Sequence, residues 1–213
     1  MTTTGTTRPA RGRRAKRPSG DDRELAILTT AERLLDDRPF ADISVDDLAR
    51  GAGLSRPTFY FYFPSKDAVL LTLLDRLMAA AADAHDRLAD YHPPDRYEGW
   101  RAGINVFFEV FGAHRGITRA AVAARAGIPD ARDMWARFMR TWIDRTAEAI
   151  EAERVRGAAP DTLPAVDLAT ALLLLNEQAL SSSFAGADPS IPEDRVLDTL
   201  VHFWISAIYG TGH

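Results

Sequence analysis

The chain has 213 residues, no cysteine, 26 basic and 30 acidic side chains, and a formal net charge of −4. That length can bury a sizeable core in one large or two small domains, and the lack of cysteine excludes disulfides, thiolate metal sites and cysteine nucleophiles. No uncharged apolar run is long enough to cross a bilayer, and the first residues lack the apolar stretch of a secretory signal, so a cytoplasmic location is expected.

The charge is unevenly spread. Residues 1–66 hold 12 basic and 9 acidic side chains, whereas residues 67–213 hold 14 and 21. Arg8, Arg11, Arg13, Arg14, Lys16 and Arg17 meet no acid within residues 1–19. This stretch reads as a basic, disordered arm, which is either a solvated tail or a contact for a polyanion. After it the chain reads helix after helix. Leu25, Leu28, Ala31, Leu34 and Leu35 recur at helical spacing over 21–38, with acids at the start. Ser44 suits an N-cap with Asp47 three positions on, and Gly51 and Gly53 end that second helix. Ser55 caps a third, short helix that tolerates Pro57 in its first turn. Pro64 stops it, Ser65 caps a fourth, and helical spacing then runs to about Tyr91, where "HPPD" breaks it. Further helices are expected near 97–113, 115–126, 130–156, 164–184 and 192–209. The spacing predicts an all-α protein of about nine helices.

Within it, residues 44–63 form a pattern of helix, tight glycine-bearing turn and second short helix, the helix-turn-helix arrangement. Val45, Leu48 and Leu54 supply an apolar lock, and Phe59 and Phe63, four apart, face the same core. Arg56, Thr58, Tyr60 and Tyr62 then present polar tips outward, with Lys66 beside them. Hydroxyls and cations suit phosphate oxygens, and Arg and Thr can reach base edges. Packing alone is the competing reading for the aromatics.

Residues 29–74, "TTAERLLDDRPFADISVDDLARGAGLSRPTFYFYFPSKDAVLLTLL", resemble the TetR family of repressors, whose signature is a helix-turn-helix closing on an aromatic-rich YxYFxSK before a long helix. The resemblance implies an N-terminal three-helix DNA-binding unit over 20–66 and a larger helical ligand-binding and dimerisation domain over 67–213. It also implies DNA contacts from Ser44, Ser55, Arg56, Thr58, Tyr60, Tyr62 and Lys66. "WRAGINVFFEVFG", "ERVRGAAPDTLPAVDLATALLLLNE" and "RVLDTLVHFWISAIYG" extend it to one branch of the family. Members of that branch hold elongated apolar ligands in a tunnel and control a flavin monooxygenase gene. The matching tunnel positions are Trp100, Gly103, Phe107, Trp135, Met139, Trp142, Thr146, Asn176, Glu177, Leu180 and Trp204. Plain core packing competes for each of them, although all four tryptophans of the chain fall in the set. Arg145, Leu173 and Ser181 depart from the branch's pattern. That leaves Asn176 as the main polar anchor and offers Arg145 to an acidic ligand head.

The resemblance further implies a homodimer through the last two helices. On the second of these, Val196, Leu197, Leu200, Val201, Trp204, Ile205 and Ile208 make a stripe broad enough for both core and partner. The expected partners are therefore operator DNA, a small apolar ligand and a second copy, with no cofactor and no metal. An enzyme is disfavoured. "GAGLSR" lacks the last glycine and the preceding strand of a dinucleotide site, and His85, His92, His114, His202 and His213 are scattered. A ligand-insensitive DNA-binding or adaptor protein is the alternative, but an adaptor leaves the basic arm and the Arg56–Lys66 cluster without a purpose.

Overall fold

The computed structural model describes residues 19–210, which form nine α-helices, two short 3₁₀ turns and no strand. The proposed basic arm lies outside the described residues except for Ser19. That residue caps α1 (Gly20–Asp37) through a reciprocal pair of bonds with Asp22, satisfying two of the backbone donors that a helix start leaves free. A 3₁₀ turn (Phe40–Asp42) leads to α2 (Val45–Gly51), α3 (Arg56–Phe59) and α4 (Lys66–Asp86). The second 3₁₀ turn (Arg87–Asp90) precedes α5 (Arg96–Ala113), α6 (Arg115–Ala124), α7 (Pro129–Val155), α8 (Ala165–Ala185) and α9 (Glu193–Tyr209). The fourth helix was expected to run to about Tyr91. Its α-helical part ends at Asp86, and the tighter 3₁₀ turn carries the chain into the prolines.

Serines open four of the first helices because each supplies an acceptor for a backbone N–H at the third helical position: Ser19, Ser44, Ser55 and Ser65. Gly53 adopts φ +68° in the turn between α2 and α3, a left-handed conformation that a side chain disfavours. Ile27, Leu28, Ala31 and Leu35 of α1 meet Leu48 and Ala49 of α2, Phe59 and Phe63, and Val69, Leu70 and Leu73 of α4 in one buried cluster. The expected lock residues Val45 and Leu54 are half-buried against it. The same cluster continues without a break to Trp142, Leu180, Val201 and Trp204. The boundary expected after residue 66 falls at the first residue of α4, a helix that runs on unbroken into the second half.

α6 lies between the halves, packing on α1, α4, α5, α7 and α8. Its Gly116 sits against the last turn of α1, where an added Cβ would stand 2.6 Å from Asp36 Oδ1 and 2.7 Å from the Leu35 carbonyl carbon. Arg119 Nη2 donates to the carbonyls of Leu35 and Asp36 at 3.2 and 3.3 Å, closing acceptors that the end of α1 leaves open. His114, at the head of α6, hydrogen-bonds Glu32 of α1.

On α9 the expected shared stripe is corrected. Val196, Leu197, Leu200, Val201, Trp204 and Ile208 are all buried in the chain's own core, and Ile205 is half-buried. The apolar surface left open lies beside them: Phe203 on α9, and Val166, Leu174 and Leu175 on α8. Among the described residues no helix is long and apolar enough to cross a membrane.

Candidate DNA-reading head and ligand cavity

α2, the turn at Gly53 and α3 form the reading head. Ser55 Oγ accepts the Thr58 N–H at 3.3 Å and lies 2.8 Å from Thr58 Oγ1, so both hydroxyls are tied to one another at the start of α3. Arg56 donates to Asp46 Oδ2 of α2 at 3.3 Å and reaches Tyr60 Oη at 3.5 Å. Its guanidinium carbon stands 5.9 Å from the centre of the Tyr60 ring. Both side chains of the Arg56–Asp46 pair are more than half exposed, at 57% and 51%, so the pair is easily exchanged for another anion. Tyr60 is exposed and set edge-on to the buried Phe59, with ring centres 5.6 Å apart. Tyr62 is half-buried, its ring packed against the core. Ser44 Oγ accepts the Asp47 N–H at 3.1 Å and donates to Asp47 Oδ2 at 2.7 Å. The Ser44 hydroxyl and, after it, the Ser44 backbone N–H, which donates to Asp47 Oδ2 at 3.0 Å, hold the Asp47 carboxyl below its ordinary range.

Lys66 is placed differently from its expected outward-facing position. Its ammonium donates to the carbonyls of Phe40, Ala41 and Ile43 at 3.0, 3.2 and 2.8 Å and stands 4.6 Å from the centre of the Phe40 ring. All three ammonium protons are engaged, so Lys66 fastens the turn before α2 to the start of α4.

The second site is a cavity of about 60 Å³ between α5, α6, α7 and α8. Of the expected tunnel residues, Phe107, Trp135, Met139, Trp142, Asn176, Glu177 and Leu180 line it. Trp100, Gly103, Thr146 and Trp204 do not. Trp204 Nε1 donates to Asn176 Oδ1 at 2.9 Å, and Trp100 donates to Tyr209 Oη at 2.9 Å while its ring lies 5.3 Å from that of Trp204. Thr146 is buried, and a Cβ added at Gly103 would meet only His85 Nε2, at 3.9 Å. His85 in turn packs on Trp142, with ring centres 4.6 Å apart. Burial, followed by the nearby Arg145 cation, pushes His85 below its ordinary value against the opposing pull of Asp86.

The cavity is aromatic, and three of its polar side chains, Thr118, Asn176 and Glu177, are tied to neighbours. Phe107 meets Trp142 edge-on at 4.8 Å, and Trp135 lies 5.6 Å from Phe138. Glu177 pairs with Arg125, whose guanidinium lies 4.9 Å over the Trp135 ring. Thr118 Oγ1 reaches the carbonyls of Phe111 and His114. With its oxygen held by Trp204, Asn176 offers the cavity its amide nitrogen. Trp135 Nε1 is buried with no partner among the described residues. Arg145 is corrected: it pairs with Asp86 at 2.8 Å and covers Trp142 from outside, so it is no anchor for an acidic ligand head.

The model of the TetR family of bacterial regulatory proteins matches residues 27–73, and that of the C-terminal domain of the transcriptional regulator EthR matches residues 100–210. The HTH-type transcriptional regulator EthR of Mycobacterium tuberculosis is 65% identical over 202 residues, covering 94% of this chain and 93% of that protein. The chain belongs to the TetR family, with an EthR-type C-terminal domain. EthR of Mycolicibacterium smegmatis is 52% identical over 211 residues, 99% of this chain and 97% of that protein. A TetR-family regulator from Syntrophomonas wolfei shares the fold at a TM-score of 0.72 and 17% identity, over 89% of this chain and 96% of that one.

In this TetR-family regulator several site residues escaped the sequence reading. Phe111 and Phe138 line the cavity one turn from Phe107 and Trp142, and that helical spacing is the signal that could have found them. Arg125 lies in the turn between α6 and α7, and nothing local ties it to Glu177, 52 residues away. Leu173 and Ser181, noted only as departures, both face the cavity.

Proposed function

We infer that this TetR-family regulator is a homodimeric repressor that binds operator DNA through α2 and α3 and releases it when a neutral, elongated apolar molecule fills the cavity. The observation that carries this reading is the position of α6. Thr118 lines the cavity from α6, while Gly116 and Arg119 on the same helix grip the end of α1 in the reading head. A ligand that displaces α6 therefore acts on both sites. In DNA binding, Arg56 exchanges Asp46 for phosphate or a base edge, Tyr60 donates its hydroxyl, and Thr58, Tyr62, Ser44 and Ser55 serve the adjoining backbone. Lys66 holds the turn before α2 in place.

The open apolar side chains of α8 and α9 supply the partner face, and two heads then meet successive major grooves roughly 34 Å apart. The cavity favours a ligand that is aromatic or aliphatic and uncharged, because its one carboxylate is already neutralised by Arg125. At about 60 Å³ it is far smaller than a typical drug-sized site of roughly 300–1,000 Å³, so ligand entry moves its aromatic walls. Following the resemblance drawn from the sequence, the regulated gene in this reading encodes a neighbouring flavin monooxygenase.

Fluorescence anisotropy tests the reading. The duplex selected by this chain from a random library should bind far more tightly than an unselected one, and Arg56→Ala should erase most of that preference while leaving the fold intact. Equal affinity for both duplexes in the wild-type chain would refute the regulator reading.

A further inference from the structure

The reading head has an apolar side that the contacts above leave unused. Phe61 is 87% exposed, and among the described residues no large apolar side chain is more so. Its flanking aromatics do otherwise: Phe59 and Phe63 are buried, and Tyr62 packs on the core. The backbone that continues α3 holds Phe61 in place, with its N–H donating to Thr58 at 3.2 Å. Pro57, one turn earlier, is also exposed, as are Arg56 and Tyr60. A single exposed apolar residue is ordinary on a protein surface. Here it shares the short stretch 56–61 with the side chains proposed to read DNA, and the exposed Pro57 lies four residues before it.

The chemistry of the groove says what such apolar side chains meet. Base edges in the major groove present hydrogen-bond donors and acceptors, which an aromatic ring cannot use, and one apolar group, the 5-methyl of thymine. Resting on the operator-binding reading above, we propose that Phe61, backed by Pro57, packs on thymine 5-methyl groups and specifies thymine at positions the polar side chains do not read. The head then has two edges. Arg56 and Tyr60 read charge and hydrogen bonds, and Pro57 and Phe61 read methyl groups.

The test removes the methyl from the DNA and the ring from the protein. Single thymines of the selected duplex are replaced by deoxyuridine, which keeps every hydrogen-bonding group. Wild-type protein should lose about fourfold in affinity at one or two positions per half-site, the worth of burying one methyl group. Phe61→Ala should bind thymine and deoxyuridine equally at those positions, and Phe61→Leu should retain part of the difference. Because the ring is exposed, the melting temperature of both variants should match the wild type. The same deoxyuridine penalty in wild type and Phe61→Ala, or no penalty at any thymine, would overturn the proposal while leaving operator binding in place. Failure of the wild-type chain to prefer its selected duplex removes the operator reading itself, and is recognised before any variant is measured.

Discussion

Lys66 donates to three carbonyls of the turn ahead of α2, and hydrogen bonds from a charged donor are stronger than neutral ones. Lys66→Met keeps the apolar stem but strands those carbonyls. It should lower stability by about 2 kcal/mol in urea unfolding, whereas an outward phosphate ligand would leave stability unchanged. The sequence suggested the latter, because Lys66 follows the aromatic signature and opens a helix. Its partners lie 23 to 26 residues earlier, a distance that local spacing does not encode. Phe59 and Phe63 were legible for the opposite reason, since four-residue spacing puts them on one face of a turn. His85 carries a pH dependence. Its folded pKa lies below the ordinary 6.5, so the unfolded chain binds the extra proton first as pH falls. Its contribution to stability is full above about 6.5 and is lost as the pH drops below that value. His85→Gln should flatten the fall in melting temperature between about pH 7 and pH 5.

Helices show which parts of the fold are local. Caps at Ser19, Ser44, Ser55 and Ser65, and breaks at proline and glycine, fix most boundaries, so the order of the helices and most of their bounds, the end of α4 excepted, were readable in advance. The role of α6 was not, because it depends on what each end touches across the molecule. Gly116 meets the backbone of α1 with no room for a methyl group. Gly116→Ala should therefore force α6 and α1 apart, at a cost of about 1–3 kcal/mol, read as a lower melting temperature. If Gly116→Ala melts like the wild type, the two helices are not held in the tight contact described here.

At the scale of the molecule, the all-α architecture and the family were both legible, the first from helical periodicity and the second from a motif of some length. The proposed partner face differs from the stripe that the sequence suggested. The stripe on α9 is real, but core packing consumes it, and the exposed side chains are Phe203 at 50% and Leu174 at 53%. Sequence periodicity marks an apolar face without dividing it between a core and a second copy. Replacing both Phe203 and Leu174 with Glu should turn a dimer into a folded monomer in sedimentation equilibrium, because like charges would be buried against each other. A dimer unaffected by both changes would place the interface elsewhere.

In the proposed mechanism, cavity and reading head are two ends of one equilibrium, so a ligand that fills the first must oppose DNA at the second. Operator anisotropy should be measured with and without a long-chain methyl ketone, with tryptophan fluorescence reporting when the cavity beside Trp135 and Trp142 is full. At saturation the operator affinity should be lower by about tenfold or more, a coupling of about 1.4 kcal/mol. A ketone that fills the cavity while operator affinity stays unchanged would contradict it.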